Sequence, residues 1–308
     1  MKNLKFIDFI GNSKRFYTLS ISIFVIIIAC IFVFGVNLDI QFKGGLIVTY
    51  SYDGEIAVED FKASIETLLD DVSVQHSRDI ASGLNTMVVQ HTGSIDVDRM
   101  HELNDMLNEA YSENNLKQQS STNVDPVIGS EFLAKSITAI AIASVFMMLY
   151  VAVRFRKVGG LSAGAMAVVA LLHDIFVVFG VFVIFRLPIN DNFIAVVLTI
   201  LGYSLNDTIV IYDRIRENRG LLAGKPIAEN VNISINQTFV RTLITSITTI
   251  MAMIVVALLA LIYNVESIIS FAFPMIIGLI CGSYSSICIA GPLWVRWREY
   301  RDAKPKKA

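Results

Sequence analysis

Charged residues and cysteine are both scarce in this chain. Of its 308 residues 17% are charged, and the formal net charge is −2. That balance offers no strongly positive surface, so a nucleic-acid partner is not expected. The three cysteines, Cys30, Cys281 and Cys288, all lie in apolar runs. They predict small buried apolar side chains, and neither a disulfide framework nor a metal site is expected from them.

Long apolar runs are what the sequence has in excess. Hydrophobic residues make up 54% of it, and the mean hydropathy is +0.61. These values favour an α-helical polytopic membrane protein over a soluble domain. A helix crosses a bilayer with about 20 apolar residues. Six runs meet that length, and the predicted transmembrane helices lie near residues 17–36, 133–153, 161–185, 192–213, 241–262 and 268–293.

Basic residues next to these runs predict the orientation in the membrane. They precede the first run, fill the second-to-third and fourth-to-fifth connections, and follow the last run. The clusters are Lys2, Lys5, Lys14 and Arg15; Arg154, Arg156 and Lys157; Arg214, Arg216, Arg219 and Lys225; and Arg296, Arg298, Arg301, Lys304, Lys306 and Lys307. All four fall on one side of a six-helix topology, so the positive-inside rule predicts that both termini are cytoplasmic.

A polar stretch, residues 37–132, separates the first two predicted helices on the outer face. Its pattern predicts the order βαββαβ, a small α+β domain of the ferredoxin-like type. The predicted elements are residues 45–52, 57–70, 72–76, 85–91, 95–111 and 121–127, with a turn at Ser82 and Gly83. Residues 1–36, 133–293 and 294–308 are then the N-terminus with the first helix, the helical bundle and a basic tail. His76, His91 and His101 have no metal-ligand spacing.

An aspartate interrupts the fourth apolar run. Asp207 lies within residues 194–211, and an aspartate at the centre of a membrane helix costs roughly 2.5–3.5 kcal/mol. Ser204, Asp207 and Thr208 are three and four residues apart, so they share one helix face. Lipid cannot satisfy these groups, and we expect the face to point into protein or a water-filled cavity. Asp207 is therefore a candidate functional residue, roughly 9 Å inside the cytoplasmic end of the helix.

Arg241 heads the fifth run and is the nearest candidate cation for Asp207. With Thr245 and Thr248 it forms a polar stripe at the spacing i, i+4, i+7. Two interpretations are open. In the first, the pair couples protonation of Asp207 to helix movement. In the second, Arg241 extends to the lipid headgroups and Asp207 makes a static packing bond.

Two further features lie inside predicted helices. His173 and Asp174 stand in the third run. There Asp174 is either a relay partner for Asp207 or one end of a hydrogen-bonded pair between helices. Gly278 and Gly282 form a small-residue face in the sixth run, which predicts close helix packing.

Four strings, in order along almost the whole chain, carry a resemblance. Residues 202–218 read GYSLNDTIVIYDRIREN, residues 42–45 read FKGG, residues 234–242 read SINQTFVRT and residues 282–286 read GSYSS. The set resembles the SecF family, the smaller half of the SecD–SecF protein-export pair in the RND superfamily. Two positions depart from the family pattern: Gln41 stands where an acid usually precedes FKGG, and Asp125 replaces the glycine of Val-Gly-Pro.

The resemblance implies a non-enzymatic subunit of the bacterial cytoplasmic membrane that carries no cofactor. Such chains pair with SecD, and the pair assists the SecYEG channel and the SecA motor in exporting unfolded secretory polypeptides. An ion gradient drives this work, and the residues do not distinguish protons from sodium ions. The resemblance implies that Asp207 is the ion carrier and Arg241 its charge partner. The predicted ion-coupling set adds the polar residues Asn206, Thr208, Asp174 and Thr245.

Two other functions compete with this interpretation. The first is export of a small solute or lipid by a related RND half, although such exporters usually carry two large outer domains per repeat. The second is an intramembrane aspartyl protease in which Asp174 and Asp207 share a proton and activate water. The flanking glycines and the second signature of such proteases are missing from the sequence.

Overall fold

The structure, a computed structural model, describes residues 6–78, 84–93, 95–156, 159–263 and 265–303. Within them, six helical segments are long and apolar enough to cross a bilayer, which confirms the predicted number. The predicted turn at Ser82 and Gly83, and the basic residues Lys2, Lys5, Lys157, Lys304, Lys306 and Lys307, lie outside the described residues. The spanning helices are α1 (Ser13–Phe34), α5 (Pro126–Arg154), α6 (Gly160–Ile184), α7 (Asp191–Leu221), α8 (Ile227–Ile262), and α9 (Glu266–Ser285), continued by a π-helical turn (Ser286–Ala290) and α10 (Gly291–Ala303).

Four helix ends lie seven or more residues beyond the sequence prediction because the helices continue past their apolar cores. One of them is Ala303 of α10, where the prediction ended at 293. Helix α5 begins at Pro126, seven residues before the predicted start at 133. Asp125 caps this start, because its side chain accepts a hydrogen bond from Val127 N at 2.8 Å. Helix α7 ends at Leu221, beyond the predicted end at 213. Helix α8 begins at Ile227, well before the predicted start at 241. Apolar windows report only the lipid-facing length, whereas the added turns are polar and are held by tertiary contacts.

Polar side chains join the extended ends of α7 and α8. Asn218 Nδ2 donates to Ser234 Oγ and to Gln237 Oε1, each at 2.8 Å. The segment before α1 is tied to the same place, because Phe9 N donates to Asn232 Oδ1 and Ile7 N donates to Asn236 Oδ1, each at 2.9 Å. These contacts give the SINQT string a structural role that helical spacing alone did not suggest.

The outer domain is a four-stranded antiparallel sheet with the order β2-β3-β1-β4, covered by two helices. This is the predicted βαββαβ arrangement. The fourth strand ends at Val124 and not at 127, because Pro126 starts α5 and has no N–H to give a strand. The elements are β1 (Gly45–Tyr52), α3 (Val58–Glu66), β2 (Val72–Arg78), β3 (Asn85–His91), α4 (Val97–Ala110) and β4 (Lys117–Val124).

The core of the outer domain lies between the sheet and its helices. Phe61 and Ile65 of α3 and Leu103 and Leu107 of α4 are 0% exposed. They pack against the inward residues of β1 and β3, which alternate along each strand. Because the apolar side chains follow periods of 3.6 in the helices and 2 in the strands, these elements were readable from the sequence.

A short connection joins this domain to the bundle. Helix α2 (Ile40–Lys43) is capped by Asp39, whose Oδ1 accepts from Gln41 N at 3.0 Å. Gln90 Nε2 of β3 donates to Asp39 Oδ2 at 3.4 Å, and Asp39 N donates to Ile189 O at 3.0 Å. Burial raises the pKa of the Asp39 carboxyl group, and the hydrogen bonds from Gln41 N and Gln90 Nε2 oppose this rise. Asp39 therefore contacts the outer sheet and the α6–α7 turn together.

Gly44 lets the chain turn from α2 into β1 against the start of α5. Its φ is +82° and its ψ is 156°, a region that is essentially restricted to glycine. A Cβ added at Gly44 would lie 2.5 Å from Pro126 Cα. This close approach explains the first glycine of the FKGG string.

We predict that Gly44→Ala lowers the thermal unfolding midpoint of the full chain and exposes the connection to protease. Steric overlap adds roughly 1–3 kcal/mol to the backbone strain. Gly54→Ala is the matched control, since Gly54 has a φ of +80° but its added Cβ meets only the end of the Asn114 side chain at 3.3 Å. Equal midpoints for the two variants would show that the Pro126 contact contributes nothing.

Candidate functional site

A network of hydrogen bonds surrounds Asp174 in the middle of α6. The residue is 0% exposed. Its Oδ2 accepts from Ser204 Oγ of α7 and from Ser285 Oγ of α9, each at 2.7 Å. One carboxylate oxygen therefore ties together three transmembrane helices.

The other carboxylate oxygen of Asp174 faces a histidine and a cysteine. His173 Nδ1 lies 3.1 Å from Oδ1, and Cys281 Sγ of α9 donates to Oδ1 at 3.4 Å. His173 Nε2 lies 3.1 Å from Ser20 Oγ, which brings α1 into the network. Tyr284 of α9 closes it, with its hydroxyl 3.2 Å from Ser20 Oγ. Cys281 is buried and packs with Ile27 and Val177, as predicted, and its thiol also belongs to this polar cluster.

Asp207 has a very different environment. It is 2% exposed on α7, and its Oδ2 has no hydrogen-bond partner among the described residues. Ser246 of α8 lies beside its carboxylate, and the Ser246 hydroxyl donates to Thr242 O of its own helix at 2.8 Å. Ser246 in turn accepts from Ser283 Oγ of α9 at 2.6 Å. A buried acceptor without a donor is costly, and it marks a position where a proton or a cation would be stabilised.

The expected contact between Arg241 and Asp207 is absent from the described part of the chain. Arg241 and Thr245 are exposed, and the Thr245 hydroxyl donates to its own helix at Arg241 O. The reason is the 100° turn per residue: α8 directs Thr242 and Ser246 inward, each 2% exposed. Arg241 and Thr245, one position earlier, therefore face away from Asp207. Both stripes on α8 are polar, so helical spacing could not choose between them.

The remaining residues of the predicted ion-coupling set divide between the interior and the surface. Thr208 is buried, and its Oγ1 donates to Ser286 Oγ at 3.0 Å. Asn206 is exposed. It belongs to a surface that we call the polar face, which consists of the exposed residues Thr199, Gly202 and Asn206 of α7 and Arg241, Thr245 and Thr248 of α8.

Gly278 and Gly282 of α9 lie where neighbouring helices approach closely. A Cβ at Gly282 would sit 3.1 Å from Ser204 Cβ and 3.7 Å from Asp174 Oδ2. A Cβ at Gly278 would overlap the side chain of Ile200. The small residues bring α9 close to both α6 and α7, and Ser285 thereby reaches Asp174 of α6.

The two buried aspartates do not form a catalytic pair. In the part of the chain that the structure describes, no hydrogen bond joins Asp174 to Asp207, and the donors to Asp174 come from Ser204, Ser285 and Cys281. An aspartyl protease needs two carboxylates that share one proton. The geometry therefore disfavours the protease alternative.

Comparisons with known proteins place the whole chain among protein-export subunits. Residues 103–300 match the family model described as protein export membrane protein SecD/SecF, C-terminal. The chain is 31% identical to protein translocase subunit SecF of Endomicrobium trichonymphae, over 95% of this chain and 91% of that one. It is 32% identical to protein translocase subunit SecDF of Bacillus subtilis, over 94% of this chain and 38% of that one.

A solved structure supports the same relationship. The crystal structure of SecDF from Thermus thermophilus, titled a translocon-associated membrane protein, matches with a TM-score of 0.79 and 29% sequence identity. The match covers 96% of this chain and 39% of that one. The chain thus corresponds to about two fifths of the fused SecDF proteins and to nearly all of the SecF protein.

We predict that Ser285→Ala lowers the thermal unfolding midpoint, because it removes a donor to a fully buried carboxylate. A hydrogen bond to a charged group contributes roughly 1.5–3 kcal/mol. Ser22→Ala is the control: Ser22 is exposed on α1, and its hydroxyl donates to Thr18 O. Near-ultraviolet circular dichroism during heating measures both variants. If Ser285→Ala melts with the Ser22→Ala protein, the Asp174 network does not stabilise the bundle.

Proposed function

The chain belongs to the SecD/SecF family of protein export membrane proteins, and we propose that it uses a transmembrane ion gradient to assist protein export. In this proposal the chain is the SecF half of a SecD–SecF pair. The pair acts with the SecYEG channel and the SecA motor on unfolded secretory polypeptides. Both termini face the cytoplasm, and residues 37–132 face the exported polypeptide on the outer side. The RND-exporter alternative loses weight because the relatives found are named protein translocase subunits.

The observation that carries the proposal is the contrast between the two buried acids. Asp174 has donors on both carboxylate oxygens, whereas Asp207 Oδ2 has none in the described residues. A carboxylate with donors on both oxygens gains little from taking up a proton or a sodium ion. An unsatisfied one gains a partner, so occupancy of Asp207 changes the local free energy. We assign the carrier role to Asp207 and a fixed, positioning role to Asp174.

A proton or ion bound at Asp207 would change the packing of the neighbouring helices. Its neighbour Ser246 lies on α8 and bonds to Ser283 on α9. A proton or sodium ion that neutralises the carboxylate removes the cost of an unpaired buried charge between α7 and α8, so occupancy shifts the balance between arrangements of these helices. Hydroxyl and carboxylate oxygens also suit a sodium ion, so the site accommodates either coupling ion.

We predict that Asp207→Asn leaves the complex assembled but abolishes the ion-driven part of late export. Asparagine keeps the size of the side chain and cannot take up a proton or hold a charge. The measurement is export into membrane vesicles with proton and sodium gradients imposed separately. Asp191→Asn is the control, because it makes the same change at the exposed N-terminus of α7. Normal gradient-driven export by the Asp207→Asn variant would contradict the carrier role.

The polar face on α7 and α8 is the proposed contact surface for SecD. It exposes small and polar residues at membrane depth, where lipid cannot satisfy them. Arg241 and Val210 line one groove at the end of this face, together with Asp213 and Gln237. In the assembled pair, a carboxylate or polar group of SecD would meet the Arg241 guanidinium. The fused SecDF relatives support a SecD partner.

We predict that a photoreactive amino acid at position 245 forms an adduct with SecD in membranes that contain both chains. The matched control is position 25, where Val25 is exposed on α1. Adducts are identified by size and mass spectrometry. Labelling of lipid alone from position 245, as from position 25, would mean that the polar face is not the SecD surface.

A further inference from the structure

Three side chains of different chemistry converge beside Asp174 in the bundle. His173, Asp174 and Cys281 each direct one donor atom to a common region, and the three atoms lie within 4.8 Å of one another. The donor atoms are Nδ1, Oδ1 and Sγ. All three residues are buried. They combine a nitrogen, an oxygen and a sulfur, the three donor types that bind zinc in proteins.

The spacing of these atoms agrees with one face of a coordination tetrahedron. Zinc bonds are about 2.0 Å to nitrogen and oxygen and about 2.3 Å to sulfur, which places tetrahedral nitrogen and oxygen ligands roughly 3.3 Å apart and sulfur roughly 3.5 Å from either. The observed separations are 3.1 Å between His173 Nδ1 and Asp174 Oδ1, 3.4 Å from Cys281 Sγ to that Oδ1, and 3.6 Å from Sγ to that Nδ1. The observed separations differ from the tetrahedral values by about 0.2 Å or less. We propose that His173, Asp174 and Cys281 bind a Zn²⁺ ion between α6 and α9.

The atoms that would not touch the metal are already held by neighbours. His173 Nε2 lies 3.1 Å from Ser20 Oγ, and donation of its proton to Ser20 leaves the Nδ1 lone pair for the ion. Asp174 Oδ2 accepts from Ser204 and Ser285, so Oδ1 is the oxygen left for the ion. Outer partners of this kind orient metal ligands and raise affinity.

The donor set also selects the class of metal. Sodium, magnesium and calcium ions prefer oxygen ligands, whereas a thiolate with an imidazole favours zinc and related transition metals. A water molecule completes the tetrahedron at the fourth position. On binding, the Cys281 thiol loses its proton, which leaves as H⁺, and Sγ bonds to the metal as thiolate. The site differs from the Asp207 position and does not depend on the proposed ion coupling.

Zinc at this position clamps α6 to α9 in place of weaker hydrogen bonds. The full chain, stripped of metal by a chelator, is expected to gain thermal stability when Zn²⁺ is added, since a ligand that binds only the folded state shifts unfolding by mass action. The shift should follow the Zn²⁺ concentration. Mg²⁺ at the same concentrations should leave the midpoint unchanged.

The decisive experiment uses Co²⁺ as a spectroscopic probe for the zinc position. The full-length double variant Cys30→Ser/Cys288→Ser keeps Cys281 as the single cysteine. Titration with Co²⁺ should give a thiolate-to-cobalt charge-transfer band and the intense visible bands of a tetrahedral site, with one ion per chain, and Zn²⁺ should abolish both. Adding Cys281→Ser should remove the charge-transfer band. Ser20→Ala should weaken Zn²⁺ binding roughly 10- to 100-fold, as loss of an outer partner does.

Two results would overturn the site. If the single-cysteine protein shows no charge-transfer band at excess Co²⁺, the cluster is only a hydrogen-bonded junction. If the band persists in the triple variant without Cys281, the cobalt is bound elsewhere. The first measurement uses a protein with an intact His173–Asp174–Cys281 cluster, so misfolding of the triple variant does not leave the question open.

Discussion

A carboxylate among transmembrane helices must find its hydrogen-bond donors in protein, and the packing of this bundle depends on how Asp174 meets that requirement. Its donors come from two neighbouring helices, since Ser204 lies on α7 and Ser285 and Cys281 lie on α9. Ser20 adds α1 through the histidine. The arrangement demands close helices, which explains why a glycine, Gly282, faces Ser204. A single polar group thereby sets the positions of several apolar surfaces around it.

Asp207, the second buried acid, lacks the hydrogen-bond donors that Asp174 has. In the proposed function Asp174 stabilises the bundle, whereas Asp207 carries the ion. Asp207 retains an oxygen without a donor in the described residues and interacts with Ser246 of α8. A protein tolerates an unsatisfied acceptor in a membrane when another species occupies it during its work. Helix α8 is well placed to respond, because one of its stripes faces Asp207 and the other, with Arg241, faces outward to the SecD surface proposed for the polar face. In this proposal, movement of α8 would change both the surroundings of Asp207 and the polar face that contacts SecD.

A short, constrained connection joins the bundle to the outer domain. Asp39 bonds to Gln90 of the outer sheet and to Ile189 in the turn between α6 and α7. Gly44 holds β1 close to the start of α5 at Pro126. Both contacts are tight, so the sheet is joined to the start of α5 and to the α6–α7 turn without a long linker. This geometry suits a domain that is moved by events in the membrane.

The local order of apolar and polar residues by itself determined much of this protein. The six spanning helices, the βαββαβ order and the inward face of Ser204, Asp207 and Thr208 all follow from apolar periodicity, because the periods of helix and strand are properties of neighbouring residues. Only the tertiary structure decided the partners of the buried polar groups. Helix α8 carries two adjacent polar stripes, and packing turned Ser246, not Arg241, toward Asp207. Cys281 is more than a hundred residues from Asp174, and their contact arises from helix packing that no local pattern encodes.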